Sequence, residues 1–125
     1  MVASLSEAGI RVSLFIEADP AQIAAAAQLG APVVEFHTGR YAHLSGAAQK
    51  EEAARIARAA AHAAALGIEP HAGHGLTFDN VLPIAAIPEM RELNIGHFLI
   101  GEAIFIGLDA AIRQMRQRMD EARRA

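Results

Sequence analysis

The sequence predicts an α/β fold built on a parallel sheet with helices packed outside it. Short β-branched and aromatic segments alternate with alanine-rich or amphipathic helical segments along the chain. No linker or low-complexity stretch divides its 125 residues, a length that suits one domain with a substantial core. The resulting order, β-α-β-α-β-α-β-α, indicates parallel strands joined by helical crossovers.

Each element follows from local signals in the sequence. Asp19 and Pro20 are typical of a helix start, as side-chain cap and first helical residue, and Gly30 is typical of a helix end. The segment "GRYAHLSG" after the second strand is predicted to be a loop. The predicted elements, in order, are a strand at 11–16, a helix at 20–29, a strand at 32–38, a helix at 47–66, a strand in "IEPHAGHG", a short helix before Pro88, a strand in "ELNIGHFLIG" and a helix from Leu108.

Four β-α units match half of a (β/α)₈ barrel, which typically needs about 250 residues. An open four-stranded sheet is the competing architecture. We therefore predict that residues 1–125 form a single half-barrel. Such a half leaves two strand edges and a Val- and Phe-bearing inner face uncovered, so we expect the chain to form a homo-oligomer.

Composition excludes several classes of function. The net charge of −3 and the pI of about 6.0 imply no general affinity for nucleic acid or for an anionic membrane. The chain has no cysteine, which excludes thiolate chemistry and fits a reducing compartment. No apolar run approaches a membrane span of about 20 residues, and the first residues lack the features of a secretory signal. A cytoplasmic protein is expected.

Polar residues cluster where predicted strands end, which is where sites form in parallel α/β proteins. Glu35 and His37 are two residues apart on the second strand and therefore face the same side. A carboxylate beside an imidazole can fix the tautomer of the ring or stabilise a developing positive charge. The alternative is a buried polar pair in which each side chain satisfies the other.

Two glycine–histidine segments point to anion binding and acid–base chemistry. Gly73, His74 and Gly75 end the third strand, and Gly96 and His97 lie in the fourth. A phosphate often binds in (β/α)₈ barrels at the loops after the last two strands, beside a short extra helix. "FLIGEAIFIG" could supply that helix and its N-terminal amides. An ordinary glycine-rich turn is the alternative for each segment taken alone.

A metal site is not expected. His71 and Asp79 could join His74 as ligands, but the spacing resembles no standard metal site. No phosphate-binding P-loop or dinucleotide fingerprint is present. His43 and His62 fall in a predicted loop and a predicted helix, and both are expected to face solvent.

Four segments resemble one family closely. "RVSLFIEAD", "GAPVVEFHTGRYA", "HAGHGLTFDNV" and "IAAIPEMRELNIGHFLIGEAIFIGL" are similar to the C-terminal half of the pyridoxine 5′-phosphate synthases of vitamin B6 biosynthesis. The resemblance extends from about Ala8 to the last helix. It implies strands five to eight of a (β/α)₈ TIM barrel, and a transferase that condenses 1-deoxy-D-xylulose 5-phosphate with 3-amino-2-oxopropyl phosphate. No metal or organic cofactor is implied.

The resemblance also implies roles for individual residues. His74 would be the late proton donor, and Glu35 would stabilise a transition state. Gly75, Gly96 and His97 would contact the phosphate of the aminoketone, and inorganic phosphate is expected to bind in the same place. Because Gly75 would bring backbone amides to the anion, a larger side chain there is expected to fill the position of the anion.

Some features depart from the family pattern. Asparagine is expected where His71 stands, and arginine where Glu102 stands, so Glu102 is expected to point away from the phosphate. The family's first half, which supplies a further catalytic histidine and a glutamate base, has no counterpart here. The chain is thus expected to be a fragment, a truncated gene product or an isolated half-barrel.

The alternatives to a synthase segment are an inactive, self-associating half-barrel that keeps a phosphate pocket, and a generic phosphate-binding module. The joint presence of the linked motifs argues against the generic module.

Overall fold

A computed structural model describes residues 1–124. Within that range the chain alternates strands and helices as the sequence predicts. The elements are α1 (Val2–Glu7), β1 (Ser13–Ile16), α2 (Pro20–Gln28), β2 (Val33–His37), α3 (Gly39–His43), α4 (Gly46–Ala65), β3 (Glu69–Gly73), α5 (Val81–Ala85), β4 (Glu92–Asn94), α6 (His97–Ile106) and α7 (Leu108–Arg124).

The four strands form one parallel sheet in the order β1-β2-β3-β4. Because each strand lies beside its predecessor, every crossover turns the same way and the helices collect on one face of the sheet. This sequential winding is that of a barrel segment, whereas a doubly wound sheet reverses its strand order. The predicted α/β class and half-barrel architecture are confirmed.

The hydrophobic core lies between the sheet and its helices. Val34 and Phe36 on β2 are fully buried, and they belong to one cluster with Ile23 of α2 and Ile56 of α4. The cap predicted for α2 is present, since the Asp19 carboxylate accepts hydrogen bonds from two backbone amides at 3.0 and 3.1 Å. Alternation along each strand therefore sends one set of side chains into this core and the other set to the opposite, inner face.

The inner face is mainly polar. It carries the predicted phenylalanine and valine, namely Phe15, which is 60% exposed, and the buried Val33. Its other positions include Glu35, which is paired with His71 in the strand register, and Asn94, which is paired with Gly73. The inner face thus brings several polar side chains together near the carboxyl ends of the strands.

Two helices in the first half of the chain, α1 and α3, were not predicted from the sequence. The predicted loop "GRYAHLSG" contains helix α3, because Tyr41 is buried and its hydroxyl donates to the Asn80 carbonyl at 2.6 Å. Helix α1 was not anticipated; it is held by Val2, which is buried against the core. In both places a tertiary contact orders a segment with weak local signals.

A third difference concerns Gly96 and His97, which were predicted within the fourth strand. Strand β4 ends at Asn94; Gly96 is the N-cap of α6 and His97 is its first helical residue. The prediction of a helix in "FLIGEAIFIG" is confirmed. Within residues 1–124, no helix combines the length and the apolar character needed to cross a membrane.

Candidate active site

A cleft of ≈ 610 Å³ opens at the carboxyl ends of the strands. Its wall includes the loop after β3 and the start of α6. The five residues predicted for the site all line it, namely Glu35, His74, Gly75, Gly96 and His97. The structure therefore brings together side chains that the sequence separates by up to about sixty positions.

Glu35 projects from β2 toward the neighbouring strands. Its Oε2 accepts a hydrogen bond from Nδ2 of Asn94 at 2.7 Å. A Cβ atom on Gly73 would overlap Oε1 of Glu35, so glycine at that position leaves room for the carboxylate. Asn94 was missed in the sequence, where its only signal was its place in the segment predicted to hold the fourth strand.

Glu35 and His37 do not form the pair that their spacing suggested. Both lie on the same face of β2, but Nδ1 of His37 lies 3.2 Å from Oε1 of Glu17. The reason is geometric: Glu17 follows β1 on one side of β2, whereas Asn94 draws Glu35 toward the other side. The residue that can fix the tautomer of His37 is therefore Glu17.

His74 follows β3 in an unusual backbone conformation. Its φ is 82°, in the left-handed region that residues other than glycine rarely adopt. The buried Thr38 holds this turn: its amide donates to the Gly73 carbonyl at 2.8 Å, and its hydroxyl lies 2.7 Å from the carbonyl oxygens of both Gly73 and His74. The imidazole of His74 is exposed at the cleft, as acid–base chemistry requires.

The rest of the loop after β3 is closed by Asn80. Its Nδ2 donates to the Gly75 carbonyl at 3.1 Å, and its Oδ1 accepts from the amide of Thr77 at 2.7 Å. Tyr41 donates to the Asn80 carbonyl, and burial raises the pKa of Tyr41, so its hydroxyl stays protonated. The loop that carries His74 is thus fixed by side chains from two elements.

The two cleft glycines differ in their surroundings. A Cβ on Gly75 would lie 2.7 Å from Cβ of Ala42, and the φ of Gly75 is 82°. A side chain there would therefore press against α3. A Cβ on Gly96 would meet no atom within 4 Å, and no side chain caps the amides at the start of α6. Those amides are the donors available at this end of the cleft.

His71 does not line the cleft. His71, considered above as a metal ligand, is buried on the inner face, with Nε2 2.8 Å from Oε1 of Glu69 and Nδ1 3.5 Å from Oε1 of Glu92. Hydrogen bonding to His71 and to Arg11 lowers the pKa of Glu69. Among residues 1–124, no group of three or more His, Asp or Glu side chains is placed to hold a metal ion. The structure therefore does not bring His71 together with His74.

His43, His62 and Glu102, which the sequence predicted to point to solvent or away from the phosphate, all lie on helices. His43 is exposed, as expected, although it lies on α3 and lines the cleft. His62 is exposed on α4. Glu102 lies on α6 and does not line the cleft.

Comparison with known proteins identifies the family. The model of the family described as pyridoxal phosphate biosynthesis protein PdxJ matches residues 1–121. The pyridoxine 5′-phosphate synthase of Rhodospirillum rubrum is 60% identical over 125 residues, which cover 99% of this chain and 50% of the relative. That of Zymomonas mobilis is 62% identical over 123 residues, which cover 98% of this chain and 48% of the relative. The chain thus spans about half the length of the curated relatives it matches. Because the family model covers nearly every residue, the chain belongs to the PdxJ family of pyridoxal phosphate biosynthesis proteins.

Proposed function

We propose that this chain supplies half of the active site of a pyridoxine 5′-phosphate synthase. The reaction would condense 1-deoxy-D-xylulose 5-phosphate with 3-amino-2-oxopropyl phosphate and release phosphate and water. The names of the relatives support this proposal. The observation that carries it is the cleft itself, in which a carboxylate, an exposed imidazole and an uncapped helix start face one space.

His74 is the acid–base group in this proposal. An imidazole can donate and accept a proton near neutral pH, and this one is exposed to a substrate in the cleft. Its backbone is fixed by Thr38, so the ring starts from a defined position. A proton donor held in this way is suited to the late steps of ring closure.

Glu35 acts through its charge. Asn94 holds one carboxylate oxygen, which orients the group without neutralising it. A preorganised carboxylate stabilises positive charge that develops on a reacting amine or carbon. Two anions in contact would repel, so the phosphate is assigned to the start of α6, at Gly96 and His97, and not to a position against the Glu35 carboxylate.

The phosphate is held mainly by backbone amides. The first amides of a helix have no partner within the helix, and the helix dipole favours an anion beside them. Gly96 leaves space for such an anion at the start of α6. The sole lysine of the sequence, Lys50, lies on α4 and does not line the cleft.

The test is synthesis of pyridoxine 5′-phosphate from the two substrates by the protein as its organism produces it. We expect His74→Asn to lower kcat by about 10²–10⁴-fold, the usual contribution of a general acid or base. Glu35→Gln keeps the shape of the side chain and removes its charge, so it should lower kcat while the fold is retained. His43→Asn is the matched control, because His43 lines the same cleft and has no assigned role. Unchanged turnover in both site variants would refute the assignment.

The second candidate is a catalytically inactive half-barrel that self-associates and keeps the phosphate pocket. It is favoured by the uncovered inner face and by the two edge strands, β1 and β4. The same assay separates the candidates: phosphate binding without any product formation in the natural protein would support the second.

A further inference from the structure

We propose that Glu17 and His37 form a positioning pair that sets the orientation of the His74 imidazole in the cleft. The catalytic meaning of this pair rests on the proposed function of His74. The contacts themselves do not depend on that function, and the test below separates the two.

The first contact defines the state of His37. Its Nδ1 lies 3.2 Å from Oε1 of Glu17, and a carboxylate oxygen can only accept. Nδ1 therefore carries the hydrogen and donates it to Glu17. In the neutral ring this leaves Nε2 without a hydrogen. The pair thus selects one tautomer of His37 and fixes the plane of its ring.

The second contact is between the rings of His37 and His74, so the orientation of His37 limits that of His74. The ring centroids of His37 and His74 are 4.6 Å apart, with their planes at 47°. Phe15 packs its edge against His37, with centroids 5.2 Å apart and planes at 85°. His37 is therefore held between Phe15 and His74. Within the described part of the chain, the imidazole of His74 has no hydrogen-bond partner, so ring packing is what limits its rotation.

Gly39 provides the space in which the two imidazoles meet. A Cβ at this position would lie 2.7 Å from Cε1 and 2.8 Å from Nε2 of His37, and 3.0 Å from Cδ2 of His74. Any larger residue would have to displace both rings. The backbone of α3 therefore forms one wall of the space shared by His37 and His74.

Glu17 is itself held from outside the cleft. Its amide donates to Oε1 of Gln22 at 2.9 Å. Its Oε2 lies 3.6 Å from Nη2 of Arg55, and Nη1 of Arg55 donates to the Ala18 carbonyl at 2.6 Å. Glu35, which lies on the same face of β2 as His37, is turned away to Asn94. The orientation of Glu17 is therefore set by α2 and α4 before any substrate binds.

The experiment measures the His74 ring directly. In the protein as its organism produces it, ¹⁵N and ¹³C NMR would follow the imidazole signals of His37 and His74 in Glu17→Gln and His37→Leu variants. We expect Glu17→Gln to change the tautomer balance of His37, and both variants to shift the His74 ring signals. Glu51→Gln, an exposed carboxylate on α4, is the matched control and should leave both rings unchanged.

Kinetics give the second readout. Misplacing a catalytic group by about 1 Å can lower the rate by about 10²-fold, so kcat should fall in both variants while KM changes little. His37→Phe tests whether an aromatic ring at position 37 is enough to position His74, because phenylalanine keeps the ring but cannot donate a hydrogen bond to Glu17. We expect it to lower kcat as Glu17→Gln does.

The outcomes separate the two proposals. His74 signals that stay at their wild-type positions in folded Glu17→Gln and His37→Leu proteins would overturn the positioning role. If those signals move but His74→Asn keeps full turnover, the pair stands as described and the catalytic function of His74 fails. Should His37→Leu not fold, Glu17→Gln still decides the question, because Glu17 is an exposed side chain.

Discussion

Gly75 and Gly96 both line the cleft, but they differ in backbone conformation and in the atoms that surround the position of a Cβ. At Gly75 the backbone is left-handed and α3 lies against the position of a Cβ atom. At Gly96 the backbone suits any residue, and the space beyond it is open. Glycine at position 75 is therefore a requirement of the fold, whereas glycine at position 96 leaves space for a ligand.

This difference predicts the effect of a side chain on phosphate binding. We expect a phosphate or sulfate site of millimolar affinity at the start of α6, equivalent to roughly 4 kcal/mol. Gly96→Val should abolish it by occupying the space beside the helix amides, while Gly101→Val in the same helix should not. NMR shifts during a phosphate titration would measure both. Equal binding by the two variants would place the anion elsewhere.

Gly75→Ala should instead lower the free energy of unfolding. A non-glycine residue in the left-handed region is strained by about 1–3 kcal/mol, and the added Cβ would also press on Ala42. Gly30→Ala is the control, because Gly30 has a φ of 71° but no atom within 4 Å of its Cβ position. Urea denaturation should show the larger loss at Gly75. A similar loss in both would mean that Ala42 moves aside freely.

At the scale of single elements, two helix starts can be compared directly. Asp19 bonds two amides of α2, whereas Ser45 stands at the start of α4 without a side-chain bond. Asp19→Ala should therefore lower the free energy of unfolding by about 0.5–2 kcal/mol, and Ser45→Ala should change it little. Thermal or urea denaturation would measure both; a Ser45→Ala effect as large as that of Asp19→Ala would contradict this assignment.

Helix α4 carries an ion pair between the buried Glu52 and Arg55, one turn apart. Glu52 is buried, and the guanidinium of Arg55 donates to both of its carboxylate oxygens. Hydrogen bonding from Arg55 lowers the pKa of Glu52 below its ordinary value of 4.5. A carboxyl group whose pKa is lowered by folding stabilises the folded state above its unfolded pKa, and this contribution is lost as the pH falls through its folded pKa.

Glu52→Gln should therefore be less stable than wild type at pH 7, by about 1.5–3 kcal/mol for hydrogen bonds to a charged group. The difference should shrink as the pH falls below 4.5, the ordinary pKa of the group, because the carboxyl is then protonated in the unfolded state, and it should vanish once the pH falls through the lower folded pKa. Urea denaturation across this pH range measures it, with the exposed Glu51→Gln as control. A difference that stays constant down to low pH would show that the charge is unimportant.

At the scale of the whole molecule, the uncovered surfaces predict association. Strands β1 and β4 are the edges of the sheet, and Phe15 is exposed on the inner face. Large apolar side chains on α6 are also exposed, among them Ile104 and Phe105. Unpaired strand edges and contiguous apolar surface favour contact with another chain. We therefore expect a dimer or larger species by sedimentation at micromolar concentration; a clean monomer would contradict this.

The sequence by itself determined the order of the four strands and of the longer helices that connect them, because local signals act over a few residues. The Asp19 cap, the glycine after α2 and the strand patterns needed no distant partner, and the resulting alternation was enough to predict a parallel half-barrel. The motifs at the strand ends likewise identified the five residues that the fold gathers around one cleft.

Only the tertiary structure decided which side chains meet. Spacing along β2 paired Glu35 with His37, but Asn94 from β4 and Glu17 after β1 are their actual partners. Spacing fixes the face on which a side chain lies, whereas its partner depends on the register of neighbouring strands. The same holds for Gly75, whose need for glycine comes from a left-handed turn against α3. Such contacts join segments far apart in the chain, so no local pattern encodes them.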